Sequence, residues 1–521
     1  ACTVAAGVET EQADQARPSP TATTAETRPA DTDPIETTDA TAPPTEPTDP
    51  PITDPTDSTG PPTTDPAAED PFAWQEIDDG LERGRLRVPV DYDDPDGPQF
   101  SLFLARRLAD EPENRIGSLL VNPGGPGFGG TDLVLYAESV YSEELLERFD
   151  IVAWDPRGTG QTTPAIDCVD DYDRFFGEPD ITPDDEAERQ LLVDLAEEFT
   201  TACIDANGDI LEHIGTNDTA RDVDAIRQAL GEETISYFGF SYGSTLGAVW
   251  ATLFPETVRA AVLDGARDPT ATLAESEIQQ MTGFERSLER FLADCSADEG
   301  CAFHNDGDAE GAFDALMLEL DANPVPSEEG RPDVNLGVAR QGVVQAMYQD
   351  ELWPSLAEAL SDAQDGDGDG LLALYDSYYQ YHLDGTWGNE LEAFVAIFCM
   401  DVVDRLTVEE ADAAAGAVRE AAPRIVPHTT GDYSCSFFPA STDPRVEITG
   451  AGAGPIVVVG TTGDAATPLE SSRAMAGALE DGRFVVVTAN QHTGYGVGSC
   501  GDDLVDRYLV DLEVPPEESD C

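Results

Sequence analysis

The sequence predicts an α/β fold: a mostly parallel central sheet flanked by helices, with a mainly helical cap domain inserted after the sixth strand. Apolar runs typical of buried strands alternate with helix-compatible segments up to Asp264, and two more such runs follow residue 453. Between them, residues 266–453 carry Leu, Ala, Glu and Asp at helical spacing. The predicted core therefore comprises residues 71–265 and 454–521, and the predicted cap comprises residues 266–453.

Eight strands are predicted, and most end in loops that carry polar residues or glycine. In chain order their ranges are 85–92, 99–107, 118–121, 151–154, 234–240, 258–263, 455–460 and 483–488. The first two precede any helical pattern, so the fold begins with a β-only segment. Because the later strands are separated by helical segments, they are expected to pair in parallel.

The turn after the fifth predicted strand reads Gly-Phe-Ser-Tyr-Gly (239–243) and leads into a helix-compatible run at 244–254. Gly-x-Ser-x-Gly between a strand and a helix is the nucleophile elbow of α/β-hydrolases. Glycine accepts the strained backbone of so tight a turn at little cost. The motif predicts Ser241 as a nucleophile.

A serine nucleophile needs a base, and an oriented imidazole supplies one. Of the five histidines, only His492 closely follows a late strand. Asp464 follows the strand at 455–460 and gives the order Ser, Asp, His that this fold uses. Taken singly, His492 could be a surface histidine and Asp464 a solvated turn residue. Together with Ser241 they predict a catalytic triad, with Asp264 as the alternative acid.

Two backbone amides are needed to hold the oxyanion of a tetrahedral intermediate. One is expected from Tyr242, the residue after the nucleophile. The other is expected from the Asn-Pro-Gly-Gly-Pro-Gly loop at 122–127, where Gly125 is favoured over its neighbours. The segment does not match a phosphate-binding loop, because no Gly-Lys-Ser/Thr ending follows it.

From about Trp74 to the C-terminus, the chain resembles the tripeptidyl aminopeptidase group of α/β-hydrolases, relatives of prolyl aminopeptidase. Ordered motifs carry the resemblance: Val-Pro-Val-Asp-Tyr (88–92), the loop at 122–127, Asp-Pro-Arg-Gly-Thr-Gly (155–160), Arg-Asp-Val-Asp (221–224), the elbow, Val-Leu-Asp-Gly (262–265), Ala-Ile-Phe-Cys-Met-Asp (396–401), Asp-Ala-Ala-Thr-Pro (464–468) and two C-terminal cysteines. Two positions depart from the family pattern. Ser244 stands where threonine is usual, and Gln-His-Thr at 491–493 replaces Gly-His-Gly.

The resemblance implies release of short peptides from free N-termini through an acyl-enzyme on Ser241, without a cofactor. Two other reactions fit the same triad, those of a carboxylesterase and of an endoprotease. A catalytically silent cell-envelope binding lipoprotein is the alternative outside enzymes.

An aminopeptidase must bind the α-ammonium group of its substrate, and a carboxylate in the cleft is the natural partner. The candidates are Asp401, in a cap segment beside Cys399, and Glu285, on an expected cap helix. In so acidic a chain, a structural or surface role is the alternative for each. An aspartate-glycine run from Asp365 to Asp376 partly matches a calcium loop but lacks the final glutamate, and no metal site is predicted.

Residues 1–70 are rich in Thr, Pro, Asp, Glu and Ala and are nearly free of large apolar side chains. Such a segment cannot bury enough surface to offset its ordering entropy, so a disordered tether is predicted. The Ala1-Cys2 start resembles the processed end of a bacterial lipoprotein, in which Cys2 would carry the lipid. A chain start that falls there by chance is the alternative.

Cysteine usage indicates an exported protein. Nine cysteines are present, and eight remain when Cys2 is set aside. The expected pairs are Cys168–Cys203, Cys295–Cys301, Cys399–Cys435 and Cys500–Cys521, although eight cysteines allow about 105 connectivities. The localisation expected is therefore secreted, or anchored at the outer face of the cell membrane.

The charge is extreme, with 105 acidic residues against 27 basic ones, all arginine, and a net charge of −78. A phosphate backbone would be repelled, which argues against nucleic-acid binding. A peptide substrate is the expected partner, and the chain is assumed to be a monomer.

Overall fold

The computed structural model describes residues 70–521, except Asp404, His428 and Thr429. The predicted tether, including Cys2, lies outside the described residues apart from Asp70. One sheet contains ten strands. They are β1 (Gln75–Asp78), β2 (Leu81–Pro89), β3 (Gln99–Arg107), β4 (Gly117–Asn122), β5 (Phe149–Asp155), β6 (Ile235–Phe240), β7 (Val258–Asp264), β8 (Ile456–Thr461), β9 (Gly482–Val487) and β10 (Glu518–Asp520).

The strand order across the sheet is β1-β2-β3-β5-β4-β6-β7-β8-β9-β10. The first three strands and the β3–β5 pair are antiparallel. Every later pair, from β5 with β4 to β9 with β10, is parallel. All residues of β4, β5, β6 and β8 are buried, as expected for strands covered on both faces. The mostly parallel α/β architecture is confirmed.

Helices surround the sheet and occupy most of the chain between β7 and β8. They are α1 (Asp132–Leu135), α2 (Ala137–Val140), α3 (Glu143–Arg148), α4 (Glu186–Leu211), α5 (Thr216–Leu230), α6 (Tyr242–Leu253), α7 (Leu273–Ala297), α8 (Ala309–Ala322), α9 (Leu336–Ala346), α10 (Trp353–Gln364), α11 (Asp369–Tyr379), α12 (Glu390–Asp401), α13 (Val408–Ala421), α14 (Leu469–Ala478) and α15 (Cys500–Asp511).

The eight predicted strands correspond to β2–β9, whereas the two outer strands were not predicted. Their sequences, Gln-Glu-Ile-Asp in β1 and Glu-Ser-Asp in β10, lack an apolar run because both strands are largely exposed. The helical segment from α7 to α13 therefore follows β7, which is the sixth of the predicted strands.

Alternating residues of each central strand pack into different apolar clusters. Leu120, Val152 and Leu263 face a cluster that includes α5 and α6. Their neighbours Val121 and Ala153 face a second cluster with α1–α3 and α15. A third cluster unites α7 to α11 and extends to Ala465 and Ala466, next to Asp464. The helical segment thus has an apolar core of its own that reaches the sheet edge.

Four disulfides are present, and their pairs are those expected from the sequence: Cys168–Cys203, Cys295–Cys301, Cys399–Cys435 and Cys500–Cys521. Cys399–Cys435 joins α12 to the segment after α13. Cys500–Cys521 ties the start of α15 to the residue after β10.

No helix in the described part of the chain is both long and apolar enough to cross a membrane. Across the same residues, no group of three or more His, Cys, Asp or Glu side chains could hold a metal ion. In the aspartate-glycine run, Asp376 lies in α11 and accepts hydrogen bonds of 2.6 and 2.9 Å from Arg331.

A fully buried ion pair joins Arg157 to Asp222. Arg157 donates from Nε and Nη2 to the two carboxylate oxygens, at 2.8 and 2.6 Å, and both side chains have no exposed surface. Tyr92 also donates its hydroxyl to Asp222, at 2.7 Å. The remaining Arg157 donors bind the carbonyl oxygens of Val90 and His213, at 3.0 and 2.7 Å. Three sequence motifs, at 88–92, 155–160 and 221–224, therefore meet at one buried charge pair.

Arg157→Leu is expected to lower the free energy of unfolding by about 3–5 kcal/mol, because it leaves the Asp222 carboxylate buried and uncompensated. Replacing both residues by leucine should cost less than the single change. Urea denaturation followed by circular dichroism measures both effects. Arg473→Leu is the matched control. Its pair with Glu518 is about half exposed, at 49% and 51%, and its loss should cost less than about 1 kcal/mol. Equal losses in the two single variants would contradict the prediction.

Candidate active site

Ser241 occupies a strained turn between β6 and α6, with φ 52° and ψ −124°. Two glycines make the turn sterically accessible. A Cβ on Gly239 would lie 2.2 Å from the carbonyl oxygen of Gly243, and a Cβ on Gly243 would lie 2.7 Å from that of Asn122. Both distances are below any real carbon–oxygen contact. The Gly-x-Ser-x-Gly motif therefore has the backbone shape that its sequence predicted.

Asp264 joins the serine turn to the histidine loop. Its backbone carbonyl accepts the N–H of Ser241 at 2.8 Å. Its carboxylate accepts the backbone N–H groups of Gly494 and Tyr495, each at 2.8 Å. Burial raises the pKa of Asp264 to about 7, while these two amide bonds act in the opposite direction. This alternative acid binds the backbone beyond His492, and its carboxylate is occupied there.

Asp464 is the carboxylate that meets the imidazole. His492 Nδ1 lies 2.9 and 3.0 Å from the two oxygens of Asp464, and both side chains are almost fully buried. The Asp464 carboxylate also accepts from the backbone N–H groups of Ala466 and Thr467, at 3.0 and 2.8 Å, and from the Thr467 hydroxyl at 3.0 Å. These bonds fix the carboxylate independently of the histidine.

The second ring nitrogen of His492, Nε2, is buried and has no hydrogen-bond partner among the described residues. Since Nδ1 is bonded to Asp464, Nε2 is the nitrogen available to accept a proton. The ring lies edge-on to Tyr348, with centroids 5.7 Å apart, and the His492 N–H donates to the Tyr348 carbonyl at 2.8 Å. The Cα of Gly265 approaches the ring closely, because a Cβ there would lie 3.0 Å from His492 Cε1.

Thr493 has a φ of 74°, in the left-handed region that β-branched residues rarely adopt. This is the position where the family pattern has glycine. The structure thus has a positive φ, which glycine adopts readily, at this position, and Thr493 adopts it at the expense of local strain. The departure from Gly-His-Gly leaves the His492–Asp464 pair intact.

The glycine loop at 122–127 lies against the serine turn. A Cβ on Gly124 would lie 2.8 Å from Ser241 Cβ and 3.0 Å from the Tyr242 nitrogen. The Gly124 N–H donates to Asn122 Oδ1 at 3.0 Å, and Gly125 has a φ of 108°. Tyr242 is the first residue of α6, where backbone N–H groups lack intrahelical partners. The loop and the helix start are therefore adjacent, as an oxyanion site at Gly125 and Tyr242 requires.

The two carboxylates predicted to bind a substrate ammonium are used elsewhere. Asp401 accepts the backbone N–H of Thr216 at 2.7 Å and its hydroxyl at 2.5 Å. Glu285 accepts the N–H groups of Arg424 and Ile425, each at 3.0 Å. Glu285 is buried, Asp401 is half-buried, and neither lines the cavity described next, so the structure places both carboxylates against backbone donors and away from this cavity.

A cavity of about 460 Å³ lies between α4 and helices of the segment that follows β7. Its wall is mainly apolar and comes from α4, α7, α9, α11, α12 and the segment at 430–436. Four charged side chains also line it: Arg267, Glu277, Arg340 and Asp432. Burial lowers the pKa of Arg267 to about 10. The sequence offered no signal for these four residues, because nothing in their local pattern distinguishes them from surface charges.

Thr493→Gly is expected to raise the free energy of unfolding by about 1 kcal/mol, because glycine adopts a positive φ without the clash that threonine has there. Catalytic activity should stay within about twofold, since Asp464 keeps its other bonds. Thermal and urea denaturation measure the stability. Thr257→Gly, in the turn before β7, is the control and should destabilise. A loss of stability in Thr493→Gly would contradict the strain assigned to this residue.

Comparisons with known proteins agree with this geometry. Residues 117–314 match the family model for the alpha/beta hydrolase fold, and residues 427–521 match the model described as TAP-like protein. Serine protease Hip1 of Mycobacterium tuberculosis is 37% identical over 464 residues, covering 85% of this chain and 88% of its own. Carboxylesterase B of the same species is 34% identical, covering 84% and 85%.

The tripeptidyl aminopeptidase of Streptomyces coelicolor is 30% identical over 451 residues, covering 82% of this chain and 81% of its own. Both core segments and the helical segment between them fall within matches of this length. The chain therefore belongs to the tripeptidyl aminopeptidase group of α/β-hydrolases.

Proposed function

We propose that this serine hydrolase is a peptidase that releases short peptides from free N-termini. The observation that carries the proposal is the His492–Asp464 pair, which leaves Nε2 without a partner in a loop that Asp264 links to the strained Ser241 turn. Relatives named serine protease and tripeptidyl aminopeptidase, at 37% and 30% identity, support peptide hydrolysis over other acyl transfers.

In the proposed reaction, Ser241 Oγ attacks the carbonyl carbon of the scissile peptide bond while its proton passes to His492 Nε2. The carbonyl oxygen becomes an oxyanion, which the amides of Gly125 and Tyr242 stabilise. The C–N bond then breaks, and Nε2 gives the proton to the leaving amine. A water molecule then attacks the acyl carbon while its proton passes to Nε2. The bond between Ser241 Oγ and the acyl carbon breaks, Nε2 returns the proton to Oγ, and the short peptide leaves as its carboxylic acid.

Asp464 acts in this scheme by holding the proton on Nδ1 and by offsetting the positive charge that the imidazole acquires. The carboxylate is suited to this role because three bonds from Ala466 and Thr467 fix its position before any substrate binds. Little reorganisation is then needed in the transition state.

A carboxylesterase is the second candidate, supported by the 34% identical relative of that name and by the largely apolar cavity wall. Ester and peptide hydrolysis both proceed through an acyl-enzyme. Peptide hydrolysis also requires that the leaving amine receive a proton, because an amine is a poor leaving group. An endoprotease, unlike an aminopeptidase, would accept substrates with blocked N-termini.

We further propose that the protein acts outside the cytoplasm. Four disulfides support this, because such bonds persist mainly in oxidising compartments. The same proposal includes a lipid on Cys2 and a monomeric protein. Metabolic labelling with a lipid analogue, compared between the full chain and Cys2→Ala, tests the anchor.

Ser241→Ala is expected to lower kcat on a peptide substrate by about 10⁵-fold or more, because the acyl-enzyme cannot form. Product masses from matched peptides with free and acetylated N-termini provide the measurement. The wild-type protein should release short N-terminal fragments only from the free set. Ser139→Ala, which replaces an exposed serine, is the control and should leave turnover unchanged.

Three outcomes would contradict parts of this proposal. Persistent hydrolysis by Ser241→Ala would exclude Ser241 as the nucleophile. Internal cleavage of both peptide sets would indicate an endoprotease. Hydrolysis of simple esters without any peptide cleavage would place the carboxylesterase first.

A further inference from the structure

We propose that the cavity of about 460 Å³ is the subsite for the N-terminal residue of the substrate. In this assignment, Glu277 accepts hydrogen bonds from the α-ammonium group, Asp432 adds a second negative charge, and the apolar wall holds the side chain. The inference rests on the proposed aminopeptidase function and names the residues that would make it selective for free N-termini.

Two helices connect the cavity with the catalytic loops. On α7, Gln280 lines the cavity and donates to the carbonyl oxygen of Ala466 at 3.1 Å, two residues after Asp464. On α12, Phe394 lines the cavity, and a Cβ on Gly127 would lie 2.7 Å from its nitrogen. The cavity is therefore bounded by the helices that touch the acid loop and the glycine loop.

Glu277 differs from three buried carboxylates of the helical segment in having no hydrogen-bond partner among the described residues. The buried Oε2 of Glu390 also has none, but Glu390 does not line the cavity. Glu285, Glu392 and Asp401 each accept two bonds from a backbone or hydroxyl donor. Within the described part of the chain, no hydrogen bond or ion pair engages the carboxylate of Glu277. A half-buried carboxylate at a cavity wall without a donor needs one from a ligand or from solvent.

The formal charges of the four charged side chains that line the cavity sum to zero. Arg267 donates to the Ser276 hydroxyl and Asp432 accepts the N–H of Ser434, whereas no hydrogen bond to the Glu277 carboxylate occurs among the described residues. The Nε of Arg340 already donates to the carbonyl oxygen of Ile425. Burial, followed by the charge of Asp432, raises the pKa of Glu277 to about 7. An ammonium group bound at Glu277 would supply the missing donor and favour the ionised carboxylate.

Glu277 lies close along α7 to the residues that contact the acid loop. Gly283 contacts the acid loop, since a Cβ there would lie 2.3 Å from the carbonyl oxygen of Ala465. Glu277 precedes Gly283 by six residues on α7, a rise of about 9 Å along the helix. Gln280, which bonds to Ala466, lies between them.

The apolar wall of the cavity predicts the preferred side chain. Phe175, Phe176 and Phe199 contact one another, and Phe176 also contacts Tyr379, at 5.6–6.3 Å between ring centroids. Met281 lies one turn from Glu277 on the same helix and also lines the cavity. Such a surface favours a large apolar N-terminal residue, because burying one is worth about 1.5–3 kcal/mol.

The test compares Glu277→Gln with Glu289→Gln, an exposed glutamate on the same helix. Substrates are a peptide with N-terminal Phe, its acetylated form, and matched peptides with N-terminal Asp or Lys. Glu277→Gln should raise KM for the free Phe peptide about 10–100-fold, as expected when a charge-assisted bond is lost, with kcat within about threefold. Asp432→Asn should raise KM for this peptide by a smaller factor, and Glu289→Gln should leave KM unchanged.

A binding measurement separates recognition from chemistry. In the Ser241→Ala background, titration calorimetry with the uncleaved Phe peptide should show a 10–100-fold higher Kd when Glu277→Gln is added. Binding of the acetylated peptide in the same background should be equally weak with and without Glu277→Gln. Circular dichroism and melting temperature verify that each variant is folded.

If wild type cleaves only free N-termini while Glu277→Gln matches it in KM and Kd, the subsite assignment is wrong and the aminopeptidase function stands. If wild type cleaves free and acetylated peptides equally, the proposed function fails and this inference fails with it. Equal KM values for N-terminal Phe, Asp and Lys would overturn the assignment of the side chain to the apolar wall.

Discussion

The buried Arg157–Asp222 ion pair is the interaction on which the arrangement of the site depends. Asp222 lies in α5, so the pair fixes this helix against the ends of β2 and β5. Thr216, at the start of α5, shares its hydroxyl with the phenol of Tyr242 and with Asp401. This charge pair therefore fixes the position of α5. The start of α5 in turn contacts Tyr242, the residue after the nucleophile, and Asp401, the last residue of α12.

Asp264 has a comparable role on the other side of the nucleophile. Its backbone binds the serine turn and its side chain binds the histidine loop, so the proposed nucleophile and base are connected through a single residue. Because the carboxyl ends of parallel strands meet at one edge of the sheet, β6, β7, β8 and β9 deliver all of these loops to the same place. The sheet thus places these loops next to one another, and hydrogen bonds between the loops fix their positions.

Much of this arrangement could be predicted from the sequence because it depends on local pattern. Buried parallel strands are continuous apolar runs, and the residues that follow them converge by topology, which is why Ser241, Asp464 and His492 were found in order. The four disulfide pairs join cysteines no more than 36 residues apart. By contrast, β1 and β10 are exposed edge strands whose polar sequences carry no apolar signal.

Residue type alone did not identify the polar groups of the cap. Asp401 and Glu285 were reasonable candidates because a cleft carboxylate was sought, but nearby backbone amides occupy both. The chain has 105 acidic residues, and the packing of α4, α7 and α12 determines which of them face the cavity. No local sequence pattern encodes that packing. The role of Thr493 was equally hidden, since a positive φ is a property of the folded loop.

Helix α7 serves two structures at once, and this restricts how the enzyme can admit substrate. The same helix lines the cavity through Glu277 and Gln280 and touches the acid loop through Gly283 and Arg290. A hinged lid that carried α7 outward would also withdraw support from the loop that aligns the imidazole. An open conformation would therefore be catalytically inactive, and proteins that entered the cleft in that conformation would not be cleaved.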